Sequence, residues 1–270
     1  MEERMIQFMK RGVQLYTVRE FLENPGQVEE SLRKIKAIGY DSIQGWPAGG
    51  LTENEYFDLC EQIGLKNCSA GGEYEEMLKS PAAVDAAIRQ AKLFGVKDIS
   101  IGTLPKELRE SEEGYHTFAK GVNQIAAELK KEGMRLLYHP HALESYSLGG
   151  GKKGLDILID ETDPDGFHFS LDTHWLQSAG LNPPDVIRRV KGRMSIVHYK
   201  DYKIIGGAVQ VEDVVKMFGE VGEGNLDWPA IVQASRDIGV EYAIVEQDIC
   251  PGDPFDSLKK SWDNLEKFGV

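Results

Sequence analysis

Cysteine is scarce, with three residues (Cys60, Cys68 and Cys250) in a chain of 270. An odd number without paired spacing gives neither a disulfide framework nor a thiolate zinc site, and the three are read as small buried hydrophobes. Positive charge is also in deficit. The 31 Lys and Arg stand against 44 Asp and Glu, a net −13, and protonating all 6 His would still leave −7. Such a chain repels phosphate polyanions, which argues against a nucleic-acid partner. No apolar run approaches the roughly 18 residues that span a bilayer, and residues 1–12 intersperse charges where a signal peptide would be apolar. The expectation is a soluble, cytoplasmic protein with no membrane partner. Two further absences concern fold. No G-x-G-x-x-G follows the first apolar run, where the chain reads Tyr16-Thr17-Val18-Arg19-Glu20, and no low-complexity linker divides the sequence. One domain over residues 1–270 is therefore expected. Acidic runs such as Glu73-Tyr74-Glu75-Glu76 and Glu112-Glu113 read as solvated surface.

What is present is a repeated alternation of short strand and helix. β-Branched or apolar runs recur at 12–18, 40–44, 65–70, 98–102, 134–139, 166–172, 194–200 and 241–246. Between them lie helical stripes such as Val84, Ala87, Ile88, Ala91 and Phe94, or Phe118, Val122, Ile125, Ala126 and Leu129. Asn24-Pro25, Ser80-Pro81, Asn182-Pro183 and Asp253-Pro254 read as helix starts, and Thr52 with Glu55 as a capping box. Gly39, Gly64, Gly95, Gly133, Gly192 and Gly239 read as helix ends. Eight units of roughly 34 residues suit a closed α/β architecture, the (β/α)8 TIM barrel, better than an open doubly wound sheet without its glycine fingerprint. The longest connection, 201–225, holds Gly206-Gly207, an amphipathic stretch at 211–218 and Gly222-Glu223-Gly224. It reads as a lid or as a surface insertion. Its glycines lack the lysine and hydroxyl of a phosphate loop.

In such a barrel the C-terminal strand ends form the active face. The first four strands deliver Gln14, Tyr16, Arg19, Gln44, Trp46, Ser69, Ser100 and Thr103 there, residues suited to hydroxyl recognition and sugar stacking. The last four deliver His139, His141 and Glu144; Asp172 and His174; His198, Lys200 and Asp201; Glu246 and Asp248. Four of the six histidines thus share one rim with several carboxylates. A mixed histidine and carboxylate shell suits Mn2+, Zn2+, Co2+ or Fe2+ better than Ca2+. His116, at a helix start, and His168, in mid-strand, are read as structural.

The segments Gly12-Val13-Gln14-Leu15-Tyr16-Thr17-Val18-Arg19, Tyr138-His139-Pro140-His141-Ala142-Leu143-Glu144, Asp172-Thr173-His174-Trp175, His198-Tyr199-Lys200-Asp201, Val221-Gly222-Glu223-Gly224 and Val245-Glu246-Gln247-Asp248 together resemble the xylose isomerase-like TIM-barrel family of sugar phosphate isomerases and epimerases. The resemblance runs from the first strand to the last. It implies one divalent ion (Mn2+, Zn2+, Co2+ or Mg2+) held by Asp172, His198 and Glu246, with either His139 or Glu144 as the strand-five ligand. It also implies a metal-dependent sugar isomerase or epimerase working by enolisation beside a carbonyl, with a dehydratase or 3-keto-glycoside lyase using the same enediolate. Glu246 would then be the general base, Glu144 or His141 would return the proton, and Lys200 would bind the oxyanion. Gln14, Tyr16, Trp46, His174, Trp175, Asp201 and Asp248 would hold the substrate. Two rivals are a phosphodiesterase of the endonuclease IV type, disfavoured by the charge, and a catalytically silent sugar-binding barrel. No Ser/Gly/Arg cluster stands out at strands seven and eight, so the partner expected is an unphosphorylated sugar or derivative. A homo-oligomer is left open.

Overall fold

A computed structural model describes residues 9–206, 210 and 213–270. Its barrel strands are β1 (Lys10–Gln14), β2 (Ser42–Gln44), β3 in two pieces (Lys66–Asn67 and Ala70–Gly71), β4 (Asp98–Ile101), β5 (Arg135–Tyr138), β6 (Phe167–Phe169), β7 (Ile196–Tyr199) and β8 (Tyr242–Val245). All pair in parallel. One run of the ladder is β7-β8-β1-β2-β3 and the other is β3-β4-β5-β6. A parallel bridge between Asp172 and His198 joins β6 to β7, and the circle closes. The expected (β/α)8 TIM barrel is therefore the fold observed.

Inward and outward residues alternate along each strand, as the pleat requires. Cys68, Leu137, Ile196 and Ile244 form a small apolar plug of their own. Two residues further along the same strands and on the same side come His139, His198 and Glu246, and two beyond those come Lys200 and Asp248. The period of two therefore stacks the polar site on the plug. The other face of each strand packs on the helices. Tyr138 meets Phe118 with ring centroids 5.1 Å apart, and Tyr199 meets Trp228 at 5.2 Å.

The helices follow their apolar stripes. Val84, Ala87 and Ala91 are buried on Pro81–Phe94, and Phe118, Val122, Ile125, Ala126 and Leu129 on Glu112–Lys130. The Thr52 and Glu55 capping box forms, and Asn24 and Asp253 cap through their side chains. Ser80 and Asn182 make no side-chain cap; Asn182 donates to Asp185 instead, at 2.7 Å. All six expected helix-ending glycines have positive φ, a conformation glycine reaches readily because it has no Cβ to crowd the backbone.

Several boundaries depart from expectation. The first run stops being a strand at Gln14 and continues as a 3-10 turn, Leu15–Phe21, because the Gln14 side chain accepts the Tyr16 N–H and tightens the chain. The third run is interrupted at Cys68 and Ser69, where the sheet changes neighbour. Within the long connection, Asp201–Ile205 and Val215–Gly219 form an antiparallel hairpin. The amphipathic stretch is thus in part a strand; Gly207 and Val211 lie outside the described residues. No helix among the described residues is long and apolar enough to cross a membrane.

Candidate metal centre

Four side chains from four consecutive strand ends converge. His139, Asp172, His198 and Glu246 each offer one ligand atom, all within 4.8 Å of one another, and all four residues are buried. Their neighbours fix how each faces the group. His139 Nδ1 lies 3.1 Å from the Ser170 carbonyl, so it carries the proton and leaves Nε2 as a lone pair. His198 is held from both sides. Its Nε2 meets the Gln44 side-chain oxygen, whose amide nitrogen donates to Ser69 Oγ at 3.0 Å. Its Nδ1 sits 2.8 Å from Glu246 Oε2. With the Gln44 oxygen taking the Nε2 proton, the facing Nδ1 and carboxylate are both acceptors, a pair that a shared cation or proton reconciles. Asp172 accepts the Trp175 N–H at Oδ1, 2.9 Å away, and caps the short helix Thr173–Ser178. Its Oδ2 is buried with no hydrogen-bond partner. A hard, buried, mixed N/O donor set with one orphaned carboxylate oxygen fits a divalent ion.

Lys200 is the counter-charge. Nearly fully buried, its Nζ lies 2.6 Å from Asp248 Oδ1, 3.5 Å from Glu246 Oε2 and 3.6 Å from Asp172 Oδ2. Burial opposes its charge, yet the three carboxylates outweigh that and hold the ammonium above the ordinary lysine range. Burial pushes the Asp172 carboxyl up to about 7, while Glu246, though also buried, is pulled below the usual carboxylate range by Lys200 and His198. His139 and His141 are both held neutral by burial, with neighbouring positive charge adding to it; His141 falls to about 4.

Above the group opens a cleft of about 540 Å3, lined by Gln14, Tyr16, Trp46, Ser100, Gly102 and Thr103 on one side and by the β5, β7 and β8 ends on the other. Trp46 and Tyr16 are 44% and 43% exposed, so their rings are free to meet a ligand. Asp248 and His141 line the same cleft. Trp175 and His174 stand beside it: His141 and Trp175 have ring centroids 5.5 Å apart, and Lys200 Nζ lies 5.0 Å from the centre of the Trp175 ring. His174 is boxed by Trp175, Tyr202 and Phe218. Phe218, which sequence reasoning passed over, arrives on the hairpin, and only a strand assignment there would have placed it.

Two candidates face elsewhere. Glu144 is not in the four-residue group: it is buried, bonded to the Tyr138 hydroxyl, and accepts the His141 N–H at 2.7 Å. A turn of 3-10 helix, Ala142–Ser145, rotates it back under the β5 loop, where burial raises its pKa. Asp201 is fully buried and points into the outer layer. Its Oδ1 accepts the Tyr202 N–H at 2.8 Å; its Oδ2 accepts the Gly222 and Gly224 N–H, each at 3.1 Å, and the Trp228 indole N–H at 2.6 Å. It follows Lys200 directly, so the pleat turns it away from the cleft. Burial pushes its carboxyl up, against the four N–H donors. His116 pairs with Glu161 on the surface at 2.7 Å, and His168 is buried in β6.

Gly224 exists for this clamp. A Cβ there would sit 2.2 Å from both Asp201 Oδ1 and the Tyr202 carbonyl oxygen. Gly224→Ala should therefore lower unfolding stability by about 2 kcal/mol or more. Urea denaturation tests this; a midpoint equal to that of the parent protein would mean that the loop gives way freely.

Similarity to known proteins agrees with the geometry. The chain is 25% identical over 165 residues to inosose dehydratase of Lacticaseibacillus casei, covering 56% of this chain and 53% of that protein. It thus spans about half the length of that curated relative. Its fold matches a sugar phosphate isomerase/epimerase from Parabacteroides distasonis, with 20% identity, a TM-score of 0.77 and coverage of 98% and 96% of the two chains. It also matches a xylose isomerase-like TIM barrel protein from Mycobacterium smegmatis in complex with magnesium, with 14% identity, a TM-score of 0.70 and coverage of 96% and 95%. Residues 32–267 match the family described as the xylose isomerase-like TIM barrel, and the chain belongs to that family.

Proposed function

We propose that the protein is a metal-dependent dehydratase of a polyhydroxylated ketone or aldehyde, with His139, Asp172, His198 and Glu246 holding one divalent ion. An ion in that donor set supplies Lewis acidity towards a carbonyl oxygen and its neighbouring hydroxyl. Glu246 is the base. Lys200 and His198 hold it as a carboxylate through Oε2, and Oε1 takes no hydrogen bond among the described residues. It removes the α-proton, and the C–H pair flows towards the carbonyl oxygen. Glu246, now protonated, returns the proton to the departing β-hydroxyl on the same face; the C–O bond breaks and water leaves. The neutral His141 imidazole, at the cleft wall, hydrogen-bonds a substrate oxygen as this happens. Lys200, engaged by three carboxylates, balances their charge and holds Glu246 low in place of binding the oxyanion directly.

One observation carries the choice among outcomes. Symmetrical epimerisation needs a second carboxylate on the opposite face at the β5 end, and there Glu144 is turned away while histidines face the site. A single acid–base carboxylate suits elimination. The curated relative named above is a dehydratase, which is consistent with this reading.

The test is incubation of metal-loaded protein in D2O with ketoses and keto-inositols, followed by NMR. We expect a dehydrated product with solvent deuterium at the carbon that lost its hydroxyl, because the α-carbon gives up its hydrogen in the elimination and the enol left behind takes a deuteron there on ketonising. A pure epimer would overturn elimination, and absence of both dehydration and exchange in every metal-loaded sample would overturn enolisation itself.

A further inference from the structure

Barrels of this architecture commonly bind phosphate with the loops after strands seven and eight and a nearby helix N-terminus. Here that place is already taken. The Gly222 and Gly224 N–H groups, beyond β7, both donate to Asp201 Oδ2 at 3.1 Å, and the Trp228 indole N–H donates to the same oxygen. Every donor of a small anion cradle is thus satisfied by a carboxylate from the chain, and Gly224 is shaped around it. After β8, the helix Pro254–Lys267 begins at Asp253, whose carboxylate accepts the Phe255 N–H at 2.8 Å and places negative charge where a phosphate would dock.

The cleft offers no replacement. Among the described residues lining it, Lys200 is the one lysine or arginine, and it faces three carboxylates. A divalent ion would balance that local excess of negative charge and leave nothing over for a phosphate dianion. The nearby guanidiniums are engaged as well. Arg19 donates to the carbonyls of Tyr16 and Asp248, each at 2.9 Å, and Arg109 to the Leu104 carbonyl at 2.8 Å and Thr103 Oγ1 at 3.0 Å. What the walls do offer is amide and hydroxyl groups from Gln14, Ser100 and Thr103 and the half-exposed rings of Tyr16 and Trp46.

We infer that Asp201 is a built-in anion filling the phosphate cradle of the barrel, and that the cleft takes an uncharged polyhydroxylated carbonyl compound and rejects its phosphate esters. The inference rests on the enolising reading above and adds the substrate class to it.

The experiment pairs neutral ketohexoses and a keto-inositol with their monophosphate esters, on Mn2+-loaded protein in D2O, and reads loss of the α-proton, by elimination or by exchange. The neutral members should exceed their esters in kcat/KM by at least about 100-fold, the scale set by unpaired like charge at a site. Millimolar inorganic phosphate should leave the rate on the neutral members unchanged. Esters that lose the α-proton as fast or faster, or competitive inhibition by phosphate, would overturn the inference while leaving enolisation standing. No loss of the α-proton with either set would remove the enolising reading and this inference together.

Discussion

Asp172→Asn should abolish metal binding and activity while leaving the barrel intact. The substitution changes one atom. Asn retains Oδ1, which accepts the Trp175 N–H at 2.9 Å and starts the helix Thr173–Ser178, so the local backbone keeps its cap. What disappears is the charge on Oδ2, the buried oxygen without a hydrogen-bond partner. Loss of an outer partner around a metal typically costs 10–100-fold in affinity or activity, so loss of a charged ligand should exceed about 100-fold in both. The metal-free proteins provide a second, opposite readout. The folded-state pKa of Asp172 is raised to about 7 from 3.8, chiefly by burial, so the native state binds its proton more tightly than the unfolded state does. That group therefore costs metal-free wild-type protein stability as pH rises from about 4 to about 7, and the amide carries no such cost. Metal-free Asp172→Asn should then equal or exceed the metal-free parent in urea unfolding at pH 8, with the difference shrinking towards pH 4. Metal analysis by mass spectrometry and an unfolding series at two pH values check both halves. A variant that keeps a full complement of metal would end the ligand assignment, and one that unfolds at pH 8 would make Asp172 structural.

The strand ends were legible because their chemistry rides on a simple period. Residues 137 and 139, 196, 198 and 200, and 244, 246 and 248 step in twos from an apolar plug to a polar site, so once the barrel is recognised the inward residues follow. The same rule, applied strictly, also places Asp201 outward, beside Trp228, and its assignment to substrate read proximity in sequence as proximity in space. Glu144 failed for a different reason. Beyond β5 the chain leaves the pleat, and whether a carboxylate five residues past His139 reaches back depends on the φ and ψ of a 3-10 turn that composition does not encode. Tyr138, an outward residue of β5, then captures it in the buried layer. Phe218 was hidden because its partner strand, Asp201–Ile205, is sixteen residues upstream in register terms set only by the hairpin pairing of Tyr202 with Phe218. Gln44 was placed at the rim as a hydroxyl binder; its oxygen instead fixes the His198 ring, a second-layer role that only the pairing of β1 with β2 and β8 reveals.

Lys200→Met should be the most destabilising single change in the metal-free protein. Methionine matches the aliphatic stem in the buried space and removes only the charge. Three carboxylates then lose their shared cation: Asp248 at 2.6 Å, Glu246 at 3.5 Å and Asp172 at 3.6 Å. Breaking one partner of a buried ion pair costs about 3–5 kcal/mol because the remaining charge has no compensation. Part of that loss is relieved by protonation, since burial already presses on Asp172 and Glu246. The relief has a chemical consequence: Glu246, now pulled down by Lys200 and His198, would rise towards and beyond the ordinary carboxylate range and be less available as a base at neutral pH. The pH dependence of kcat should accordingly move its acidic limb upward, a change that a purely structural lysine would not produce. Lys200→Met combined with Asp248→Asn removes one of the uncompensated charges and should recover part of the stability without recovering the limb. Guanidinium unfolding of the three metal-free proteins, with pH–rate profiles of their metal-loaded forms, separates these effects. A single variant as stable as the parent, with an unmoved acidic limb, would show that Lys200 neither compensates the buried carboxylates nor holds Glu246 ionised.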